Sequence, residues 1–414
     1  MSTVRRIAVI SAHTSPLAKL GWHETGGMNV YVRELSREMG ARGYLIDIFT
    51  RRADAASPDV VHSSENVRVI HLRVGPEGSA GKSDLHRHLG DLERELVSFQ
   101  QAEEIEYDLI HSHYWLSGWV GLSLRERWHV PLVAMFHTLG EAKKRVPVAE
   151  REPPCRIEGE RQVAQRADRI ICASDHERRL LEDVYGADPR RISVVACGVD
   201  LDLFKPIDKE AARDALGLNG ERMVLFVGRI EPLKGVDILL AAAAQMRGES
   251  DFQIFVVGGD GTATDEMRRL RGLASDLGII RRVSFLGPVD HDRLPLFYNA
   301  ADICVVPSYY ESFGLVALEA MACGTPVVAS RVGGLTVTVR DGETGYLIPW
   351  HYPQPFAERM ALLLGDEELR RSFGRTAREA VKGFGWSSIA DAVESLYREL
   401  LGKSEAKVAS RLCC

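Results

Sequence analysis

A chain of 414 residues is too long for one ordinary hydrophobic core and suits two domains of roughly 200 residues each. With 45% hydrophobic and 27% charged residues, its composition is that of a water-soluble globular protein. A net charge of -6 leaves no excess of Lys and Arg to neutralise a nucleic-acid backbone, so any phosphate the protein binds is small and held locally.

The start, "MSTVRRIAVISAH", has too short an apolar run for a signal peptide. No stretch approaches the eighteen or so residues a membrane span needs, so a cytoplasmic protein without a membrane span is expected. Short β-branched runs then alternate with amphipathic segments. In the first half they cover 6–13, 44–52, 67–75, 107–115, 131–138, 169–174 and 192–199. In the second half they cover 222–230, 252–260, 282–289, 301–308, 326–334 and 344–350. Near-continuous apolar strands separated by helical patterns indicate parallel sheets covered on both faces, which gives an α/β class with two doubly wound, Rossmann-like units in tandem.

"GVDLDLFKPIDKEAARDAL" marks the break, with Pro206 and a charged run restarting a helix. The expected division is 1–205, 206–385, and a final helix over 386–401 that packs back on the first domain through Ile389, Val393, Leu396, Tyr397 and Leu400. Residues 402–414 read as a disordered tail. The cysteines at 155, 172, 197, 304, 323, 413 and 414 form no paired spacing, and most sit in apolar runs, so reduced core thiols are expected. Cys413 and Cys414 fit either a lipid-attachment site or the end of a polar tail, and the second reading is adopted.

Open α/β sheets bind ligands beyond the carboxyl ends of their strands, so polar residues there carry the functional reading. "PSYYESFGLVALEAMACGTPVV" spaces Glu311 and Glu319 eight apart around Ser312-Phe313-Gly314, which places both carboxylates near one side of a helix whose N-terminus suits a phosphate. His137 ends a strand in "FHTLGEAKK", and Gly26-Gly27 lead a helix in "HETGGMNVYVREL". Three patterns invite other chemistry. Asp200-x-Asp202 resembles a metal-binding pair but falls at the linker. "GGDGTAT" lacks the third glycine of a dinucleotide fingerprint, and His111-x-His113 has no further metal ligands near it in sequence.

The spacing of Glu311 and Glu319 within "SFGLVALEAMACGTPVVAS", preceded by "VGRIEPLKG" and followed by "VGGL" and "VRDGETGYLI", resembles the retaining GT-B glycosyltransferases of family 4. That family includes sucrose-phosphate synthase and the inositol-phosphate glycosyltransferases. The resemblance spans residues 7 to about 400. It implies a nucleotide sugar on the second domain, an acceptor on the first, and a reaction between them with no required metal. It also implies that His13, Gly27, Arg229, Lys234, Glu311, Phe313, Gly314, Leu315 and Glu319 meet the donor. Arg229 and Lys234 pair with its diphosphate, Glu319 holds the ribose, and Glu311 lies near the hexose. His137 lies by the reacting centre; with a near-neutral pKa it can donate a hydrogen bond to a hydroxyl and is not assigned as base, and together with Arg229, Lys234 and Glu311 it makes the catalytic set.

"SAHTSPL", "GGMNVYV", "HSHYWLSG" and "FHT" match the inositol-phosphate enzymes, whose acceptor phosphate is held at positions corresponding to Lys82, Tyr114, Thr138 and Arg156. A side chain at Gly26 or Gly27 would project into the cleft, and Asn29, one turn on, reaches acceptor hydroxyls. "HTLGEAKK" and "CRIEGE" lean instead toward sucrose-phosphate synthase, which leaves inositol phosphate and fructose phosphate both open as acceptors. A UDP-linked hexosyl donor and no required cofactor are expected. A non-essential Mg near the diphosphate and a homodimer stay open. Two other readings are a non-catalytic sugar-nucleotide sensor on the same fold and a pyridoxal-phosphate glycan phosphorylase.

Overall fold

The computed structural model describes residues 5–18, 25–54, 56–75, 82–148, 152–218, 220–246, 251–259, 264–349 and 351–412. His23 and Glu24, residues 260–263, Cys413 and Cys414 are therefore outside the described residues.

The first unit holds β1 (Arg6–Ile10), β2 (Leu45–Arg51), β3 (Val60–Ser64), β4 (Val67–Leu72), β5 (Leu109–His113), β6 (Leu132–Met135), β7 (Arg169–Cys172) and β8 (Ile192–Val194). They form one sheet in the order β3-β4-β2-β1-β5-β6-β7-β8. The second unit holds β9 (Arg222–Val227), β10 (Phe252–Val257), β11 (Val283–Gly287), β12 (Ile303–Val306), β13 (Val327–Ser330) and β14 (Gly345–Ile348), in the order β11-β10-β9-β12-β13-β14. Central strands such as β1, β5 and β12 are buried almost throughout, which is why their sequences run apolar without alternation.

Every expected strand is present, and one more was not foreseen. β3 pairs antiparallel with β4 at the sheet edge, and its residues are mostly half-exposed or exposed. An exposed edge strand needs no apolar run, so "VVHSS" carries too little signal to separate it from a loop.

Strand order reverses between β1 and β5 in the first sheet and between β9 and β12 in the second. Those are the points where crossovers leave on opposite faces and open a crevice beyond the strand ends. The two crevices face one another.

The final helix, Trp386–Leu412, returns to the first unit and buries Trp386, Ile389, Val393, Tyr397 and Leu400. Arg42 anchors its outer face through Asp391 at 2.7 Å and Glu394 at 2.9 Å. The helix continues to Leu412, past the expected end at Leu401. "SEAKVASRL" is rich in good helix formers and contains no breaker, and the single Gly402 costs only about 1 kcal/mol.

Four cysteines, Cys172, Cys197, Cys304 and Cys323, are buried and free, whereas Cys155 is free and exposed. Asp200 closes a turn by accepting from the N–H groups of Asp202 and Leu203, both at 3.0 Å, which is the structural use expected of it.

Candidate active site

A cavity of about 280 Å³ lies between the two crevices. Its first-unit wall includes His13, Gly26, Gly27, Asn29, Tyr114, His137, Thr138 and Lys143, and its second-unit wall includes Gly228, Arg229, Lys234, His291, Glu311 to Leu315 and Glu319. All but two of the residues expected to bind donor or acceptor or to act in catalysis line it. Arg156 stands directly behind the wall, and Lys82 opens the short helix Lys82–Leu85 with its side chain outside the described residues.

The glycine pair is one place where the two units meet. Gly26 is extended (φ 178°) and Gly27 begins the helix Gly27–Ala41, so neither needs glycine for its backbone angles. At Gly27 space is the constraint, because a Cβ there would lie 3.1 Å from Leu315 Cδ1, whereas one on Gly26 would meet the Arg229 Nε at an ordinary 3.8 Å. Asn29 is committed locally. Its Oδ1 accepts from Gly26 N–H at 2.9 Å, and its Nδ2 donates to Thr14 Oγ1 at 2.8 Å and to the Ser15 carbonyl at 2.7 Å. With 1% exposure and both amide hydrogens in use, Asn29 fixes this loop and has no spare amide hydrogen for the expected contact with acceptor hydroxyls.

Across the cavity, Lys234 Nζ donates to Glu311 Oε2 at 2.7 Å and Arg229 Nη2 pairs with Glu231 Oε1 at 2.9 Å. Gly314, in the left-handed region at φ 94°, turns the chain into the helix Leu315–Ala322, and a Cβ there would lie 2.6 Å from Leu335 Cδ2. The first two residues of that helix, Leu315 and Val316, line the cavity, and their N–H groups have no carbonyl of their own helix to bond. Glu311 precedes this helix, so the two glutamates do not share one of its faces. Glu319 lies on it, 6% exposed, with Oε2 accepting from Tyr298 Oη at 2.7 Å and Oε1 beside His291 Nε2 at 3.0 Å. Eight residues separate the glutamates in sequence, but a left-handed turn lies between them.

Two non-glycine residues with positive φ, Tyr114 at 74° and His137 at 60°, end neighbouring strands in the cavity wall. Each conformation costs on the order of 1–3 kcal/mol and is held by its surroundings. His137 Nε2 lies 2.9 Å from His113 Nδ1, and His111 Nδ1 lies 2.7 Å from Tyr397 Oη on the final helix. Burial, aided by the neighbouring His111, pushes His137 down to about 3, and burial pushes His111 to about 3. The near-neutral value expected for His137 is therefore corrected: the ring stays uncharged through the physiological range, which is compatible with the expected hydrogen-bonding role. His111 and His113 are buried and do not line the cavity; of that segment Tyr114 does.

Arg156, with 3% side-chain exposure, donates from Nε to Glu160 Oε1 at 2.7 Å and from Nη2 to the carbonyl and hydroxyl of Thr138, both at 3.0 Å. Its guanidinium lies 5.0 Å over the ring of Tyr114. Glu160 is 0% exposed and also accepts from Gly140 N–H and Tyr185. Sequence reasoning missed Glu160 and Lys143. Arg156 and Glu160 stand at i and i+4 on the helix Pro154–Arg166, a spacing that could have flagged the pair. Among the described residues no group of three or more His, Cys, Asp or Glu is placed to hold a metal ion. No helix among them is long and apolar enough to cross a membrane.

Two Rossmann-like domains that face a cleft, with a helix crossing back, define the GT-B class of glycosyltransferase. Residues 25–203 match the model described as Glycosyltransferase Family 4, and residues 208–380 match Glycosyl transferases group 1. The chain is 46% identical over 422 residues to D-inositol 3-phosphate glycosyltransferase 2 of Catenulispora acidiphila, covering 100% of this chain and 99% of that one. It is 47% identical over 399 residues to D-inositol 3-phosphate glycosyltransferase of Mycobacteroides abscessus, covering 95% and 89%. Among solved structures, sucrose-phosphate synthase from Thermosynechococcus elongatus superposes with a TM-score of 0.90 at 38% identity, covering 96% and 100%. The chain belongs to this family of GT-B glycosyltransferases and is an enzyme of that type.

Proposed function

We propose that the protein moves a hexosyl unit, glucosyl or N-acetylglucosaminyl, from a UDP-sugar to a phosphorylated polyol, with 1D-myo-inositol 3-phosphate as the first acceptor to test, and with retention at the anomeric carbon. The observation that carries this reading is the pairing of two cation sites across one cavity: Arg229 and Lys234 on the second domain, and Arg156 behind Thr138 and Tyr114 on the first. The named activity of the inositol phosphate relatives supports the choice of acceptor.

In this scheme Arg229 and Lys234 neutralise the donor diphosphate, aided by the N–H groups of Phe313, Gly314 and Leu315 at a helix start. Glu319, fixed by Tyr298 and His291, takes the ribose hydroxyls, Glu311 meets the hexose, and His13 closes the donor side. The acceptor hydroxyl attacks the anomeric carbon on the face the diphosphate leaves. One carbon–oxygen bond forms as the bond to the diphosphate breaks, and the departing oxygen takes the proton. Neutral His137 orients a sugar hydroxyl. Both substrates are charged small molecules, which suits a cytoplasmic reaction. No metal is required for the chemistry, so turnover persists in EDTA; loss of turnover in chelator would contradict this.

A donor-by-acceptor matrix read by mass tests the reading. It should use UDP-glucose and UDP-N-acetylglucosamine against inositol 3-phosphate, fructose 6-phosphate and their unphosphorylated forms. Product from a UDP-sugar and inositol 3-phosphate is expected, and equal turnover of phosphorylated and unphosphorylated acceptors would refute it. The likeness to sucrose-phosphate synthase favours a second reading, transfer to fructose 6-phosphate, which the same matrix decides.

A further inference from the structure

The acceptor half of the cavity is lined by a lysine, Lys143, that the scheme above does not use, and a carboxylate, Glu152, pairs with it from behind the wall. Each nitrogen of the Arg156 guanidinium has a partner, and the third, Nη1, faces Glu152 Oε2 at 2.8 Å. The other partners are fixed: Glu160 is buried on the same helix, and Thr138 belongs to the strand end. Glu152 is different. It stands on irregular chain ahead of Pro153, and its second oxygen lies 3.4 Å from the Nζ of Lys143, which lines the cavity. The Glu152 side chain is 13% exposed and that of Lys143 is 21% exposed, so the pair is not sealed off, and Lys143 links it to the cavity wall. A carboxylate held between a guanidinium and an ammonium, with the Thr138 hydroxyl on the same guanidinium, has the surroundings of a bound anion.

We propose that Glu152 occupies the position of the acceptor's phosphate in the unliganded enzyme, and that an incoming phosphate monoester displaces it and gains Lys143 as a further ligand. This rests on the phosphorylated-acceptor reading. A dianion exchanges favourably for a single carboxylate between two cations, whereas a neutral hydroxyl does not, because it would leave Arg156 and Lys143 short of counter-charge. Glu152 thus acts as a specificity-determining residue, and it sets the acceptor's KM rather than the chemistry.

The test uses the full chain. Inorganic phosphate binding is measured by calorimetry, and steady-state kinetics are measured with the phosphorylated acceptor and its unphosphorylated counterpart. Glu152→Gln is expected to bind inorganic phosphate about ten-fold more tightly and to lower the phosphorylated acceptor's KM by a similar factor. Lys143→Met is expected to raise that KM about ten-fold, with the KM of the unphosphorylated acceptor and of the donor unchanged. Lys143→Arg, which keeps the charge, should bind phosphate nearly as the parent does, and this separates loss of a ligand from loss of fold. Unchanged or weaker phosphate binding in Glu152→Gln, or a Lys143→Met effect shared by both acceptors or by the donor, would overturn the proposal. Failure of the underlying reading looks different: the parent enzyme would treat both acceptors alike, and the inference would fall with it.

Discussion

On the second-domain side of the cleft, Arg229 and Lys234 each meet one carboxylate, at 2.9 and 2.7 Å, and keep 36% and 20% side-chain exposure. On the first-domain side, Arg156 keeps 3% and is enclosed by Glu152, Glu160 and Thr138. A half-open cation with one partner exchanges it for a ligand oxygen with little desolvation cost. A buried cation does so only when the arriving group matches both charge and geometry. Under the proposed scheme the donor half therefore suits capture of a diphosphate, and the acceptor half suits discrimination.

The largest effect is expected where donor charge is neutralised. Lys234→Ala should lower kcat/KM by about 10² to 10³, the range for losing one group that stabilises developing charge, with the thermal midpoint little changed. Near-normal transfer would break the donor assignment. Stability should show the opposite asymmetry. Arg156→Met leaves Glu160 buried without its cation and should destabilise by about 3–5 kcal/mol, whereas Arg229→Met breaks a half-open pair worth about 1 kcal/mol or less. Denaturant midpoints of the two variants check this, and equal shifts would erase the contrast.

The contact that joins the halves can be probed by Gly27→Val, which pushes bulk against Leu315 and should lower kcat/KM about ten-fold by holding the domains apart. Gly27→Val combined with Leu315→Ala should recover part of the loss, and no recovery would mean that the contact is not the cause.

The smallest expected effect is on stability in mild acid. Burial holds His111 and His137 to about 3, below the ordinary 6.5, so the unfolded chain takes up protons that the fold refuses as pH drops below about 6.5. Each such ring removes about 1 kcal/mol of stability between pH 6.5 and 5.5. Glu177 works the other way, because burial raises its carboxyl to about 7 and its protonated form gains on acidification. The thermal midpoint should fall over this interval, and more steeply in Glu177→Gln. A midpoint that rises with acid would contradict the neutral histidine pair.

Residue type made much of this legible. Most strands are largely apolar runs, and Arg229, Lys234 and His137 stand at or beyond strand ends, where open α/β sheets place ligands. The parts that were not legible depend on three-dimensional neighbours. Asn29 looked like a free amide, yet its hydrogens go to Thr14 and Ser15. His137 looked like an ordinary imidazole, but burial near His111, beyond the reach of any local pattern, depresses it. Glu311 and Glu319 kept their spacing but not a shared helix face, because Gly314 turns the chain between them. Glu152 carried no pattern at all. Its position is evident only once Lys143 and Arg156 are seen on either side of it.

The division of labour across the cleft is tested most directly by calorimetric titration of UDP into the parent enzyme, Lys234→Ala and Arg156→Gln, each confirmed folded. Lys234→Ala is expected to weaken UDP binding at least about ten-fold, while Arg156→Gln matches the parent. Equal losses in the two variants would contradict the separation of donor and acceptor charge.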